Sequence, residues 1–445
     1  MATMRPALSG GVAPRKKEIL AGAFFWLSAF YFVYCARPED WIPGLKYVPL
    51  AKITGLFAFA ALLTSMGKAK RSFRDLPQEA RYLMIMVGLM FVAAVTSPVW
   101  PGGSFFHTID FAKVCVAWVL TFLLITTFAR LRRIIYIQAA SVAMIAIVSI
   151  AKGHSKPRLD GVLGGIYSNP NDLAFAIVLS LPFCLAFLLT AKGLPRKLVW
   201  ASGMLAMTAA LFLTASRAGF IDLVISGSVC LWHFGVKGRR PQLIVAATLV
   251  VGVLLIAAGG LLRARFATMF SDEIDPSVYN AYGSYEQRKF LYFKSLEGIE
   301  YHPLLGVGPR CFANYSGIWR EVHNAYLQIA VEGGIPVLIL YLIFLERGFA
   351  NLRKLRKRRD LDTHTTLFIG ALHSSLIGFI VGALFAPEAY QFFPYFAVAQ
   401  TSVLAAIVRE QESKAEPVPE SSRGPRRLWE INARDRRASE LTPVR

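Results

Sequence analysis

Leu173-Ala174-Phe175-Ala176-Ile177-Val178-Leu179-Ser180-Leu181-Pro182-Phe183-Cys184-Leu185-Ala186-Phe187-Leu188-Leu189 contains no charged side chain. As a helix, such a run crosses most of a hydrocarbon core about 30 Å thick, where each backbone N–H and C=O must be satisfied within the segment itself. Similar blocks recur along the chain, and reading outward from this one places helices at about 18–36, 48–66, 82–98, 109–129, 134–151, 171–191, 198–215, 218–235, 243–262, 323–345, 367–386 and 393–408. The expected fold is all-α, a polytopic integral membrane protein of about twelve transmembrane helices. Of the 445 residues 55% are hydrophobic, and the mean hydropathy of +0.46 excludes an ordinary soluble enzyme.

Alternate connections are basic: 68–81, Arg130-Leu131-Arg132-Arg133, Lys192 with Arg196-Lys197, Lys237 with Arg239-Arg240, and Arg353 to Arg359. Lys and Arg are retained on the cytoplasmic side, so both termini are expected there. The expected division is a cytoplasmic segment 1–17, a membrane domain 18–408 and a disordered basic tail 409–445, without a cleavable signal peptide. The formal charge of +21 is explained by topology and anionic lipid head groups, and no nucleic-acid partner is expected. Five scattered cysteines and seven scattered histidines give neither a disulfide framework nor metal-ligand spacing, so no metal or other cofactor is expected.

Chemistry is expected in the segments between the non-basic helix ends. These are the loop 152–170, ending at Arg158 to Asp172, the corner Ser216-Arg217-Ala218-Gly219, and the long hydrophilic stretch Arg263 to Val322. Within the last, Ser284 to Leu296 reads as a short amphipathic helix, followed by the turn His302-Pro303-Leu304-Leu305-Gly306-Val307-Gly308-Pro309. His323, at the mouth of the next helix, is a group that can titrate near neutral pH.

The order of Ser216-Arg217-Ala218-Gly219, Arg288, His302 to Gly308, and His323-Asn324 with Gly334 resembles the O-antigen ligase and polymerase superfamily of bacterial envelopes, over roughly residues 150 to 345. The ligase pattern fits through Gly334 and departs from it at Val337. The resemblance implies an enzyme of the bacterial inner membrane that transfers a glycan from undecaprenyl diphosphate to an acceptor hydroxyl on the periplasmic face. Its partners would be that donor, a lipid A-core or growing glycan acceptor, and membrane lipids.

Guanidinium groups suit a departing diphosphate because they stay charged and present planar forks of donors. Arg217 and Arg288 are therefore candidates for stabilising it, and His323 for accepting the acceptor's proton. Arg158, Asn169, Asn171, Arg310, Arg320 and Asn324 are candidates for substrate contact. Each has a plainer reading: Arg217 as an interfacial cation, Arg288 as a solvated charge, His323 as a helix-start residue, Arg158 and the asparagines as turn chemistry. The sequence leans toward a ligase, with a polysaccharide polymerase or protein O-oligosaccharyltransferase as alternatives. A transporter of lipid-linked sugar is the rival from another class; it would call for internal repeats and mid-membrane charges, neither of which stands out.

Overall fold

The computed structural model describes residues 20–64, 67, 69–152, 158–159, 167, 169–267 and 279–415. The segment 1–17, much of the 152–170 loop and the tail beyond 415 lie outside the described residues. The described residues up to 405 form one compact unit, and the last helix ends at Ala415.

All twelve apolar blocks are helical: α1 Ala21–Ala36, α2 Leu50–Leu63, α3 Gln78–Val95, α4 Pro101–Leu124, α5 Phe128–Lys152, α6 Pro170–Thr190, α7 Leu194–Leu213, α8 Arg217–Leu231, α9 Pro241–Ala267, α11 Ala325–Arg356, α12 Thr363–Gly382 and α13 Phe393–Ala415, with α10 Tyr279–Tyr301 before α11. Among the described residues, eight helices are long and apolar enough to cross a membrane, and three apolar ones are shorter. The chain is an all-α, multi-pass membrane protein. The quoted stretch forms α6, whose window is 78% buried, which is why it is apolar all round rather than on one face.

One end of the bundle is basic. Arg71 donates to the carbonyls of Phe122 (2.8 Å) and Ile125 (3.0 Å), and Arg130 to that of Leu124 (2.9 Å). Cationic side chains thus cap the carbonyl-rich C-terminus of α4. The other end gathers the C-termini of α1, α3, α7 and α12 with the N-termini of α4, α6 and α8. Tyr167 donates to the Cys35 carbonyl at 2.8 Å, Ser97 to the Val307 carbonyl at 2.6 Å, and the backbone N–H of Ala325 to the Ala383 carbonyl at 2.8 Å. The non-basic segments singled out by sequence meet here.

Two sequence expectations are corrected. The helix inside the long hydrophilic stretch runs for 23 residues rather than a single short segment. Its packed side carries Leu291, Ser295 and Gly298, while Phe290, Phe293 and Tyr301 are exposed, so apolar groups lie on both faces. The second correction concerns 323–345, expected as one span. α11 breaks at Gly334 (φ 82°, ψ 170°). The ring centroids of Tyr326 and Tyr341 lie 6.4 Å apart, whereas a straight helix would separate those positions by about 22 Å. The segment before the break therefore folds back on the one after it.

The break leaves backbone groups that the His302 to Pro309 turn satisfies. Val307 and Gly308 donate their N–H groups to the carbonyls of Val331 (2.8 Å) and Glu332 (3.0 Å), and Ile335 donates to the Pro303 carbonyl (2.8 Å). Pro336 has no N–H to offer Glu332, so the exchange is complete. The turn approaches so closely that a Cβ on Gly334 would lie 2.2 Å from the Leu304 oxygen, and one on Gly306 2.6 Å from the Val331 oxygen. Gly334→Ala is expected to cost on the order of 3 kcal/mol or more, combining left-handed strain with a backbone clash. Gly317→Ala is the control, since Gly317 has φ +75° with nothing within 4 Å, and strain alone costs about 1 kcal/mol. Thermal unfolding in detergent compares the two; equal stability would remove the clash from the account.

Candidate active site

Arg217 opens α8 at a tight corner. Ala215 takes a left-handed conformation (φ 48°), and the Ser216 hydroxyl caps the helix by accepting from Gly219 N at 3.1 Å. That hydroxyl donates to Asn171 Oδ1 at 2.8 Å, which also receives Arg158 Nη2 at 3.1 Å, while Arg158 Nε donates to the Thr214 carbonyl at 2.7 Å. Asn169 caps α6 by accepting from Asn171 N at 2.9 Å. Arg158, Asn169 and Asn171, expected to touch substrate, are thus engaged in fixing the corner that presents Arg217. The half-buried Arg217 stands at the positive end of the α8 dipole, a favourable place for an anion.

Arg288, from α10, is brought near Arg217. Burial, and then the charge of Arg217, lower its pKa from the ordinary guanidinium value. Its Nε is buried without a hydrogen-bond partner among the described residues. Two repelling cations with a buried, unsatisfied N–H form an arrangement that an oxyanion would relieve.

His323 lies beside them. Burial first, then the charges of Arg288 and Arg320, push its pKa down to about 4. This corrects the expectation of titration near neutrality: the imidazole is neutral there, and so able to accept a proton. The plainer capping role belongs to its neighbour, because Asn324 Oδ1 accepts from Tyr326 N and Leu327 N, both at 3.0 Å. Asn324, also a substrate-contact candidate, is engaged in that cap. Arg320 is exposed and reaches the site through its charge on His323.

Arg310 is held elsewhere. Its Nη1 donates to Glu321 Oε1 at 2.7 Å, and its guanidinium lies 4.8 Å from the Tyr390 ring centroid. Gln328 holds the other Glu321 oxygen at 2.7 Å, and the buried Glu332 accepts from the Tyr390 hydroxyl at 2.6 Å and from Phe312 N at 3.2 Å. Glu388 is raised well above the carboxylate range by burial and then by the charge of Asp172, which hydrogen-bonds to it. None of Glu321, Gln328, Glu332, Glu388 and Tyr390 was assigned a role from sequence. The available signal was a carboxylate, Glu332, inside an apolar helix. Among the described residues no three His, Cys, Asp or Glu side chains are grouped to hold a metal ion.

Residues 202–342, which include Arg217, Arg288 and His323, match the family described as O-antigen ligase. The chain is 25% identical over 263 residues to the exopolysaccharide production protein ExoQ of Rhizobium meliloti (strain 1021), a match covering 52% of this chain and 58% of that protein. The chain thus spans less than two thirds of the relative's length. Over these stretches the chain is similar to the O-antigen ligase family and to an exopolysaccharide production protein, in keeping with the resemblance to the O-antigen ligase and polymerase superfamily carried by the order of its motifs.

Proposed function

We propose that this protein transfers a glycan from a polyprenyl diphosphate carrier, undecaprenyl diphosphate in bacterial envelopes, to an acceptor hydroxyl. The supporting observation is the meeting of Arg217, an Arg288 whose Nε is buried without a hydrogen-bond partner, and a neutral His323 at one end of the bundle. The acceptor oxygen attacks C1 of the donor sugar, the C1–O bond to the diphosphate breaks, and its electron pair leaves with the diphosphate. Arg217 and Arg288 stabilise that charge, and His323 takes the hydroxyl proton. Displacement from the opposite face inverts C1. Cleavage of the activated linkage supplies the free energy, so neither ATP nor a metal enters the scheme.

The diphosphate also tunes the base. A bound anion favours the imidazolium, raising the His323 pKa from its low value in the free protein toward one better suited to proton transfer.

Two acceptors remain in play. The ligase reading rests on His323-Asn324 and Gly334; the polymerase reading is favoured by Val337 and by a relative whose name concerns exopolysaccharide production. Deleting the gene separates them: single lipid-linked repeat units accumulate if a polymerase is lost, and finished chains on the carrier accumulate if a ligase is lost.

We place the basic end in the cytoplasm of the inner membrane and the site at the periplasmic face, following the retention of Arg and Lys inside. A cysteine at Tyr301, which is 70% exposed, is expected to react with an impermeant maleimide from the periplasmic side. Labelling from the cytoplasm alone would place Arg288 and the donor chemistry on the wrong face.

A further inference from the structure

A cavity of about 410 Å³ is lined by His107, Asp110, Phe111, Arg310, Glu321, Tyr390 and Phe392. Its size falls in the range of small-ligand sites, roughly 300–1,000 Å³. We propose that this cavity is the acceptor subsite and holds a sugar ring of the acceptor glycan, an inference that rests on the transfer reading above.

The lining chooses among ligand chemistries. A phosphate or diphosphate calls for uncompensated cations, but here Arg310 is already paired with Glu321 at 2.7 Å, and Asp110 is paired with Lys113. A lipid tail calls for a wall without carboxylates. A sugar calls for both kinds of surface: apolar faces for its C–H groups, and acceptors and donors for its hydroxyls. Phe111 and Tyr390 meet edge to face with centroids 5.1 Å apart, and Phe392 adds a third ring. Asp110 and Glu321 offer acceptor oxygens, while Arg310 and His107 offer donors. His107 and Asp110 are exposed, so the cavity is open to a chain that continues beyond one ring.

Placement ties the cavity to the reaction. Glu321 precedes His323 by two residues, so their backbones lie within about 7 Å. A hydroxyl on a ring held at Glu321 is thereby close to the group that takes its proton.

The test uses the full-length protein in nanodiscs and two probes from cells that make it. One is the repeat oligosaccharide freed from lipid-linked glycan by mild acid; the other is deacylated core oligosaccharide. Saturation-transfer NMR measures binding of each without turnover. One probe is expected to bind, and its identity separates a polymer-type from a core-type acceptor. Asp110→Asn and His107→Gln should each weaken that binding by about tenfold, the loss of one to two hydrogen bonds to a sugar, and raise the acceptor KM while leaving the donor KM unchanged. His323→Ala should retain the binding and lose transfer. If neither probe binds, or if both variants bind as wild type, the subsite is overturned. Loss of binding in the two variants alongside normal transfer by His323→Ala would instead sink the transfer mechanism and leave the carbohydrate site standing.

Discussion

His323→Ala is expected to reduce glycan transfer by about 10²–10⁴-fold, the usual contribution of a positioned base, with insertion and donor binding retained. His323→Asn should be equally impaired, because an amide can hydrogen-bond but cannot take a proton. A structural explanation for such losses is weak here, since the cap of α11 is supplied by Asn324. The pH profile gives an independent check. A base must be neutral, and the His323 pKa lies at about 4 in the free protein. Consequently kcat/KM is expected to hold through the mildly acidic range and fall as pH drops through about 4. The acid limb of kcat should sit at higher pH, because the bound diphosphate stabilises the imidazolium. Near-normal transfer by the Asn variant would demote His323 to a hydrogen-bonding role.

Arg288→Ala is expected to lower activity tenfold or more, on the order of 1.5–4 kcal/mol of lost transition-state stabilisation, with Lys only a partial replacement because it lacks the planar fork. Arg217→Ala should behave similarly. Arg288→Ala carries a second signature. Its charge helps depress His323, so removing it raises the imidazole pKa and moves the acid limb of kcat/KM upward. An arginine too far from His323 to act on its proton predicts no such displacement. Wild-type activity at matched membrane levels would remove Arg288 from the site.

Much of the fold was legible because burial in lipid leaves a strong local imprint. Each apolar block became a helix, and the basic turns sorted to one end through caps such as those of Arg71 and Arg130. The trio Arg217, Arg288 and His323 could be named from motif order, although its proximity depends on α10 packing against the broken α11. The fold-back at Gly334 was hidden, because apolar residues continue on both sides of it and the decisive hydrogen bonds come from a turn at 303–308. The substrate-contact candidates were harder for a related reason. Asn169 and Asn324 have the chemistry of either a cap or a ligand, and only the positions of Asn171, Tyr326 and Leu327 N–H groups show the cap. The Glu332–Tyr390 bond joins residues 58 apart in sequence, a contact that no local pattern encodes.

The central claim is that this chain itself performs the transfer. The direct measurement reconstitutes the purified protein with a polyprenyl-diphosphate-linked glycan as the sole donor, in EDTA and without ATP, and quantifies both products. One polyprenyl diphosphate should be released for each glycosidic bond formed, with C1 inverted in the product. Movement of intact donor across the bilayer without cleavage, or turnover that appears only when a divalent cation is restored, would contradict the account.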